Sequence, residues 1–361
     1  MAEVSYWLGF NLIPGVGPSR FRRLLGRFGS AEAAWRADRA DLATAGLDSK
    51  TLDAIVQWRT RLNLSREMEK VDKAGVRLTT LEDDVYPPLL KHIVDAPPLL
   101  YLRGELQPGD ELAIAVVGTR RVTPYGAQAC ERIVSEVAGR GVVIVSGLAS
   151  GIDAVAHRTA LAAGGRTIAV LGCGVDVTYP PDHATLAREV AANGALVSEY
   201  PIGTTPEPGN FPARNRIISG MTRATLVIEA GERSGALITA NFAVEQGRDV
   251  WAVPGSVFAA NCLGTNRLIQ QGAKLVVDAN DVLEELNVAS VEQQLEFRAL
   301  TSDDPVERSL LAILTREPVH IDEIVRQVDL PAGAVSGALA LLELKGIARH
   351  VGGMQYVATG R

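Results

Sequence analysis

The feature that most constrains this 361-residue chain is the alternation, from residue 112 onward, of short apolar runs with amphipathic stretches. The runs are rich in β-branched residues and read LAIAVVG, VVIVSG, RTIAVLG, ALVSEY, ATLVIEAG, DVWAVPG and KLVVD. Continuously apolar strands that alternate with helices are typical of a parallel sheet covered by helices on both faces. The pattern predicts an α/β fold with a Rossmann-like, doubly wound, mostly parallel sheet over residues 110–287.

The segments on either side of this sheet have a different character. Residues 1–72 read as wholly helical, and PGVG at 14–17 is typical of a helix-hairpin-helix turn. The Pro-rich segment 74–104 is too apolar for a free linker, so we expect it to pack against the sheet. The polar segment 288–304 reads as a linker, and 305–361 has the order helix, helix, helix and hairpin of a winged-helix module. The predicted domains are therefore 1–72, 73–287 and 305–361, with the linker 288–304 before the last of them.

Composition excludes several classes of protein. Cys130, Cys173 and Cys262 are odd in number, far apart and without CxxC spacing, which argues against a disulfide framework and a zinc site. The first residues lack the pattern of a signal peptide, and no stretch reaches the roughly 20 apolar residues of a membrane helix, so we expect a cytoplasmic protein with no membrane partner. The net charge of −6 argues against a protein that coats nucleic acid over its whole surface, but it leaves local basic patches open.

The loops that follow the predicted strands carry the functional signal, because ligands of doubly wound sheets bind at the carboxyl ends of the strands. These loops are rich in Gly, Ser, Thr and Arg, and no acidic residue lies between Glu207 and Glu229. They read GTRRVTPYG, SGLASGIDAVAH, FPARNRIISGM and GERSGALITA. Several loops that could each bind an anion suit a polymeric phosphate backbone better than a single phosphate. The alternative is that the glycines form tight turns and the arginines pair with distant acids.

No complete catalytic set emerges from the motifs. The chain has no Gly-Lys dipeptide and hence no P-loop, and GLASG has Ala149 where a nucleophile elbow needs serine. Asp153 and His157 lie one helical turn apart and could couple as base and orienting residue, or they could be a helix N-terminal Asp beside a packed His. We therefore expect a protein that is not an enzyme and uses neither cofactor nor metal.

The chain carries, in this order, GTRRVTPYG, SGLASGIDAVAH, LGCGVDVTYP, FPARNRIISGM, SGALITANFAVEQGRDVWAVPG and GTNRLIQQGAKLV. This series of motifs resembles the DprA/Smf family of DNA-processing proteins, and the resemblance is continuous from Tyr86 to Asp278. The resemblance implies a helical SAM-like N-terminal domain, a Rossmann core and a winged-helix C-terminal domain. It also implies a protein of natural transformation and recombination that binds single-stranded DNA and helps to load the RecA recombinase. Further implied partners are single-strand-binding protein and a second copy of the chain, in a homodimer through the Rossmann domain.

The resemblance also assigns roles to residues. Arg120 is expected to bind phosphate, Arg214 and Arg216 to neutralise phosphates or hold the loop that does, and Phe211 to stack on a base. Many relatives have lysine where this chain has Pro181, so a basic contact would be missing or moved to Arg121 or Arg166. The residues expected to bind single-stranded DNA are Gly118, Thr119, Arg120, Arg121, Ser146, Gly147, Ala149, Gly151, Tyr179, Asn210, Phe211, Arg214, Asn215, Arg216, Ser234, Gly235 and Thr239.

Other functions remain open on the sequence alone. The arginines of the second helix could touch a DNA backbone or form a solvated face; they are Arg20, Arg22, Arg23 and Arg27. The presumed recognition helix of the winged-helix module offers only Lys345 as a basic residue, which favours protein contact or packing over duplex recognition and disfavours a transcription regulator. The competing enzyme hypothesis is a nucleotide-processing hydrolase resembling a phosphoribohydrolase on a related Rossmann fold.

Overall fold

The computed structural model of the chain describes residues 2–288, 306, 309–310, 313–314, 319–328, 330–344 and 348–358. The fold divides into two compact units, Met1–Val282 and Leu283–Arg361. The predicted linker, apart from Val288, and Lys345 lie outside the described residues. Within the described part of the chain, no helix combines the length and the apolarity needed to cross a bilayer.

The first unit is built on a nine-stranded sheet in the order β1-β2-β6-β5-β4-β3-β7-β8-β9. Neighbours from β6 to β9 run parallel, whereas β2 is antiparallel to β6 and β1 is antiparallel to β2. Each predicted apolar run forms a strand, which confirms the doubly wound, mostly parallel sheet. The strands are β1 (Arg77–Thr80), β2 (Leu99–Gly104), β3 (Ala113–Val117), β4 (Val143–Ser146), β5 (Thr167–Val170), β6 (Ala195–Ser198), β7 (Ala224–Val227), β8 (Asp249–Ala252) and β9 (Lys274–Leu275).

The helices between these strands cover the sheet and define its topological switch point. The chain builds β3, β4, β5 and β6 toward one edge, and the next helix, α11, returns it to β7 on the other side of β3. The loops after β3 and β7 therefore diverge, which leaves a crevice between them. The helices are α8 (Pro124–Gly139), α9 (Ile152–Ala162), α10 (Ala184–Asn193), α11 (Asn210–Gly220), α12 (Ala236–Glu245), α13 (Leu263–Gln270) and α14 (Ala279–Glu285).

The segment 74–104 does more than pack against the sheet, because it contributes β1, β2 and the short helix α7 (Pro88–Lys91). Its Leu99–Leu102 stretch is buried, and Tyr101 lies opposite Ser198 in the antiparallel pairing of β2 with β6. The apolar character that distinguished this segment from a linker is thus explained by a place inside the sheet.

The N-terminal segment is helical as predicted and shares its core with the sheet. Trp7, Phe10 and Phe21 pack against one another, and the same core cluster includes Tyr101 of β2 and Leu148 after β4. Side chains cap four of its helices by accepting hydrogen bonds from backbone N–H groups. The helices are α1 (Ala2–Asn11), α2 (Pro18–Phe28), α3 (Ala31–Arg36), α4 (Arg39–Ala43), α5 (Ser49–Arg61) and α6 (Leu64–Lys73).

The arginines of α2 are engaged within the protein. Arg20 donates to the carbonyl of Gly15 at 2.7 Å and pairs with Asp48 at 2.9 Å. Arg22 donates to the carbonyl of Val94, Arg23 to that of Gly46, and Arg27 to the hydroxyl of Thr44. These contacts favour a packing role for the hairpin over a free basic face.

The second unit has the elements of a winged-helix module, as predicted. Its described residues form α15 (Ile321–Val328), α16 (Ala332–Leu344) and a sheet of β10 (Val319–His320), β12 (Gln355–Ala358) and β11 (Ala348–His350), in that order. Gly352 and Gly353 form the hairpin turn with φ of +95° and +58°, a backbone conformation that suits glycine. The predicted first helix falls largely outside the described residues.

Candidate functional site

A cavity of about 690 Å³ opens at the switch point. Its walls come from the loops after β3, β4 and β7 and from α11, the helix that crosses from β6 to β7. The structure thus brings loops that are distant in sequence to one place, as a doubly wound sheet requires. The predicted site residues that line it are Gly118, Thr119, Arg120, Arg121, Ala149, Tyr179, Phe211, Arg214, Asn215, Ser234, Gly235 and Thr239.

Arg120, Arg121 and Arg233 give the cavity a basic rim. All three side chains are exposed, and within the described part of the chain their guanidiniums have no ion pair or hydrogen bond. Glu232, the neighbouring acid that might have neutralised Arg233, lies 3.9 Å from Arg267 instead. The lining, as the structure describes it, holds four arginines and one carboxylate. A protein of net charge −6 therefore concentrates positive charge here.

Arg214, the fourth arginine, lies beneath the rim and is only 4% exposed. Its Nη1 donates to the carbonyl of Gly147 at 2.9 Å and also to the carbonyl of Val170. Gly147 directly follows β4 and Val170 is the last residue of β5, so the guanidinium joins two neighbouring strands at their carboxyl ends. Of the two predicted roles, the geometry favours holding the loop.

Asp153 is the acid that balances Arg214. It is the second residue of α9 and is 8% exposed, and its Oδ2 accepts hydrogen bonds from the N–H groups of Gly147 at 3.1 Å and Ala149 at 3.4 Å. Burial lowers the pKa of Arg214 to about 10, against the opposing effect of Asp153. Burial likewise raises the pKa of Asp153, against the opposing charge of Arg214. The two opposite charges therefore stabilise each other inside the protein, and Arg214 is also satisfied by backbone carbonyls.

His157 does not form a catalytic pair with Asp153. The ring is completely buried, its Nδ1 lies 2.7 Å from the hydroxyl of Thr167, and it is not part of the cavity lining. Burial lowers the pKa of His157 to about 3, with further contributions from the charges of Arg214 and His183. Of the two interpretations of this pair, the structure supports the packed histidine.

Arg216 is not brought to the cavity. It lies two residues after Arg214 on α11, about 200° around the helix axis, so its side chain leaves from the opposite face. There it makes a bidentate ion pair with Glu199 at 2.6 and 2.7 Å, with side-chain exposures of 12% and 15%. It borders a separate groove that also contains Arg20 and Asp95. A direct phosphate contact from Arg216 would require this pair to open.

Phe211 and Tyr179 form an aromatic pair at the cavity. Their ring centroids are 5.4 Å apart at an angle of 40°, and the guanidinium carbon of Arg120 lies 5.8 Å from the centroid of the Phe211 ring. A Cβ on Gly172 would come within 3.0 Å of the Phe211 ring, so the turn after β5 approaches that ring closely. Tyr179 is 41% exposed and offers a ring to solvent.

The remaining predicted residues lie beside or beneath the cavity. Ser146 is buried and donates its hydroxyl proton to the carbonyl of Val116 at 2.6 Å. Gly151 has φ of +84°, and a Cβ there would lie 2.1 Å from the carbonyl oxygen of Thr119. A Cβ on Gly147 would lie 2.5 Å from Nη2 of Arg214. The two glycines thus allow close loop contacts, and Asn210 begins α11 without lining the cavity.

Sequence reasoning missed several lining residues. Arg233 lies within the loop GERSGALITA, beside the acid Glu232, and was not among the residues expected to bind DNA. Asn261 reaches the cavity from the loop between β8 and α13, for which the sequence carried no signal. Arg166, considered as a substitute for the lysine that relatives carry, lies at the opposite edge of the sheet, where it pairs with Asp110 at 3.0 Å between Nη2 and Oδ2. Arg121 does reach the cavity.

Comparison with known proteins gives consistent matches. Residues 77–287 match the family model of DNA recombination-mediator protein A, and residues 296–353 match that of the DprA winged helix domain. Protein Smf of Synechocystis is 37% identical over 98% of both chains. The crystal structure of DNA processing protein A from Streptococcus pneumoniae superposes with a TM-score of 0.70 and 37% identity, over 78% of this chain and 97% of that one.

A second solved structure concerns a relative whose ligand is known. DNA processing protein A from Helicobacter pylori matches with a TM-score of 0.53 and 31% identity, over 59% of this chain and 97% of that one. That structure was determined to give insight into the single-stranded DNA binding mode of the Helicobacter protein.

Proposed function

This chain belongs to the DNA recombination-mediator protein A family, and on that premise we propose that it binds single-stranded DNA at the switch-point cavity and helps to load the RecA recombinase. The observation that carries the DNA-binding part is the rim of three unpaired guanidiniums, Arg120, Arg121 and Arg233, in an acidic protein. Arginines without an internal partner gain most from phosphate, which they bind through charge-assisted hydrogen bonds.

The rest of the cavity suits a single strand. Phe211 and Tyr179 offer aromatic faces on which an unpaired base can stack, and stacking accepts any base. The side-chain hydroxyls of Thr119, Ser234 and Thr239 line the cavity and add neutral donors near the phosphates. Binding by this combination is tolerant of sequence, as a protein that handles incoming strands needs.

The proposed partners beyond DNA are RecA, single-strand-binding protein and a second copy of the chain in a homodimer through the Rossmann domain. This part of the proposal rests on family membership. RecA filament assembly on single strands precoated with single-strand-binding protein tests it: the protein should shorten the lag, and an unchanged lag would argue against loading. Light scattering of the purified chain tests the homodimer.

Substitution of the rim arginines tests the DNA-binding part directly. Arg120→Ala should weaken binding to labelled oligo-dT about tenfold, the loss expected for about 1.4 kcal/mol. Because each phosphate neutralised on a single strand contributes about 0.7 to the slope of log K against log salt, the slope should become shallower by about that amount. Fluorescence anisotropy over a KCl series measures both quantities, and Arg121→Ala and Arg233→Ala should act in the same direction.

Arg140→Ala is the matched control, since Arg140 is also exposed but lies between the end of α8 and β4, outside the cavity lining. It should leave affinity and slope unchanged. Equal losses from Arg140→Ala and Arg120→Ala would indicate a general charge effect, and wild-type affinity in all three rim variants would refute the assignment of the cavity.

A nucleotide-processing hydrolase is the second candidate, and the observation in its favour is Asp153, a carboxylate of raised pKa in the cavity lining. Against it, Asp153 is already bonded to two backbone N–H groups and balanced by Arg214. Incubation with nucleoside monophosphates decides between the two: release of free base, abolished by Asp153→Asn, would establish the enzyme.

A further inference from the structure

Glu229, which follows β7, is a buried carboxylate that the predicted DNA site does not include. It is 1% exposed. Its Oε2 accepts a hydrogen bond from the N–H of Thr123 at 3.0 Å, and its Oε1 accepts one from the Thr123 hydroxyl at 2.7 Å. A buried carboxylate is costly unless such donors satisfy it, so its position needs a structural reason.

The backbone of the same residue holds the other end of the arginine loop. The carbonyl of Glu229 accepts a hydrogen bond from the N–H of Thr119 at 2.7 Å. Glu229 therefore fixes both Thr119 and Thr123, and the two residues that follow Thr119 are Arg120 and Arg121. A third anchor comes from α9, whose Ile152 N–H donates to the carbonyl of Thr119 at 3.2 Å.

The start of α8 is shaped around this carboxylate. Thr123 is the N-cap of α8, and its hydroxyl accepts the N–H of Gly126 at 3.1 Å. A Cβ on Gly126 would lie 2.3 Å from Oε2 of Glu229, so the helix approaches the carboxylate at a distance that glycine allows. The loop that carries the two arginines is thereby held between β7 and the first turn of α8.

We propose that Glu229 is a positioning residue for DNA binding, which holds Arg120 and Arg121 in place from behind without touching the strand. The inference rests on the function proposed above. A loop fixed before binding saves the entropy cost of ordering it on the DNA, and that saving appears as affinity. Loss of the carboxylate should therefore act through the arginines.

The test compares Glu229→Ala with Glu229→Gln in oligo-dT anisotropy over a KCl series. Glutamine can accept the Thr123 N–H through its oxygen and donate its amide to the Thr123 hydroxyl, so it should stay within about twofold of wild type, well under one factor of ten. Alanine keeps neither bond and should weaken binding about tenfold, with a slope shallower by about 0.7 to 1.4 as one or two phosphate contacts are lost.

Repeating Glu229→Ala in a double variant that already carries Arg120→Ala and Arg121→Ala distinguishes a positioning role from a general loss of stability. If Glu229 acts through these arginines, adding Glu229→Ala to the double variant should cause no further loss of affinity. The matched control is Asp110→Ala, which breaks a partly buried ion pair with Arg166 at the opposite edge of the sheet and should leave affinity unchanged. Thr123→Val, which removes the hydroxyl bond to Glu229 together with the N-cap bond from Gly126, provides the test if Glu229→Ala does not fold.

Two results would overturn the inference: wild-type affinity and slope in Glu229→Ala and Thr123→Val, or an equal loss when Glu229→Ala is added to the arginine-free background. Wild-type binding by Arg120→Ala itself would instead refute the proposed function, so the two failures are distinguishable.

Discussion

Replacement of Arg214 by alanine should destabilise the first unit more than any rim substitution, because this guanidinium is internal. The change removes hydrogen bonds to the carbonyls of Gly147 and Val170 and leaves Asp153 buried without its cation. Leaving one of two buried, interacting opposite charges without the other typically costs about 3 to 5 kcal/mol, which already includes the hydrogen bonds lost with it. We expect the free energy of unfolding to fall by about 4 kcal/mol, a large share of the roughly 5 to 15 kcal/mol by which native proteins are stable.

The chain offers a convenient probe for this measurement. All four tryptophans, Trp7, Trp35, Trp58 and Trp251, lie within Met1–Val282. Urea unfolding followed by tryptophan fluorescence therefore reports the unit that contains Arg214. Asp153→Asn alone should also destabilise it, and the double variant should cost about 2 kcal/mol less than the sum of the two single variants, since the pair is then removed together.

Arg216→Ala is the comparison within the same helix. It breaks the pair with Glu199 on the opposite face of α11 and should leave the salt slope of DNA binding unchanged. A cost below about 1 kcal/mol for Arg214→Ala, the size of a surface substitution, would refute the internal role. Strict additivity with Asp153→Asn would refute the coupling.

Three further outcomes are expected. Because the pKa of His157 is lowered to about 3, the folded protein binds fewer protons at this residue than the unfolded chain, and the stability present above pH 6.5 is lost on acidification. From pH 7 to pH 5 the free energy of unfolding should fall by about 2 kcal/mol. His157→Gln should remove this part of the pH dependence in urea unfolding. Gly151→Ala should cost about 2 kcal/mol or more by the same assay, because the new methyl meets the Thr119 carbonyl at a φ of +84°. Phe211→Leu should weaken oligo-dT binding by about 1 to 3 kcal/mol with an unchanged salt slope, because it removes no charge but does remove the ring that would stack on a base and whose centroid lies 5.8 Å from the guanidinium carbon of Arg120.

The sheet could be predicted from the sequence because the hydrophobic periodicity and composition of each short segment indicate a buried strand. Strands such as Ala113–Val117 are buried on both faces, and that environment demands the continuous apolar runs that were visible in the sequence. The pairing partners of β1 and β2 were not visible, since the Pro-rich segment that contains them has no alternation with helices. The predicted domain boundaries stay a prediction, although the shared core of the N-terminal helices and the sheet places both in one compact unit.

The position of the site was predictable for a topological reason, and its individual contacts were not. The carboxyl ends of parallel strands lie at one edge of the sheet, so the loops after β3, β4 and β7 had to lie at that edge, around the crevice of the switch point. Whether an arginine in such a loop faces a ligand or a carboxylate depends on acids far away in sequence. Glu199 forms an ion pair with Arg216, whereas Glu232 pairs with Arg267 and not with its neighbour Arg233.

Helix α11 shows this distinction within a single motif. Arg214 and Arg216 are chemically identical and two residues apart, yet one supports the cavity floor and the other joins a separate groove. A helix turns by about 100° per residue, so one FPARNR motif can supply both faces with a cation. The sequence motif therefore identifies a helix that lines the cavity, and the rim charge that we propose for DNA binding lies on three arginines outside the motif that have no ion pair among the described residues: Arg120, Arg121 and Arg233. If variants of these three bound DNA normally while Arg216→Ala did not, the strand would have to run along the opposite face of α11.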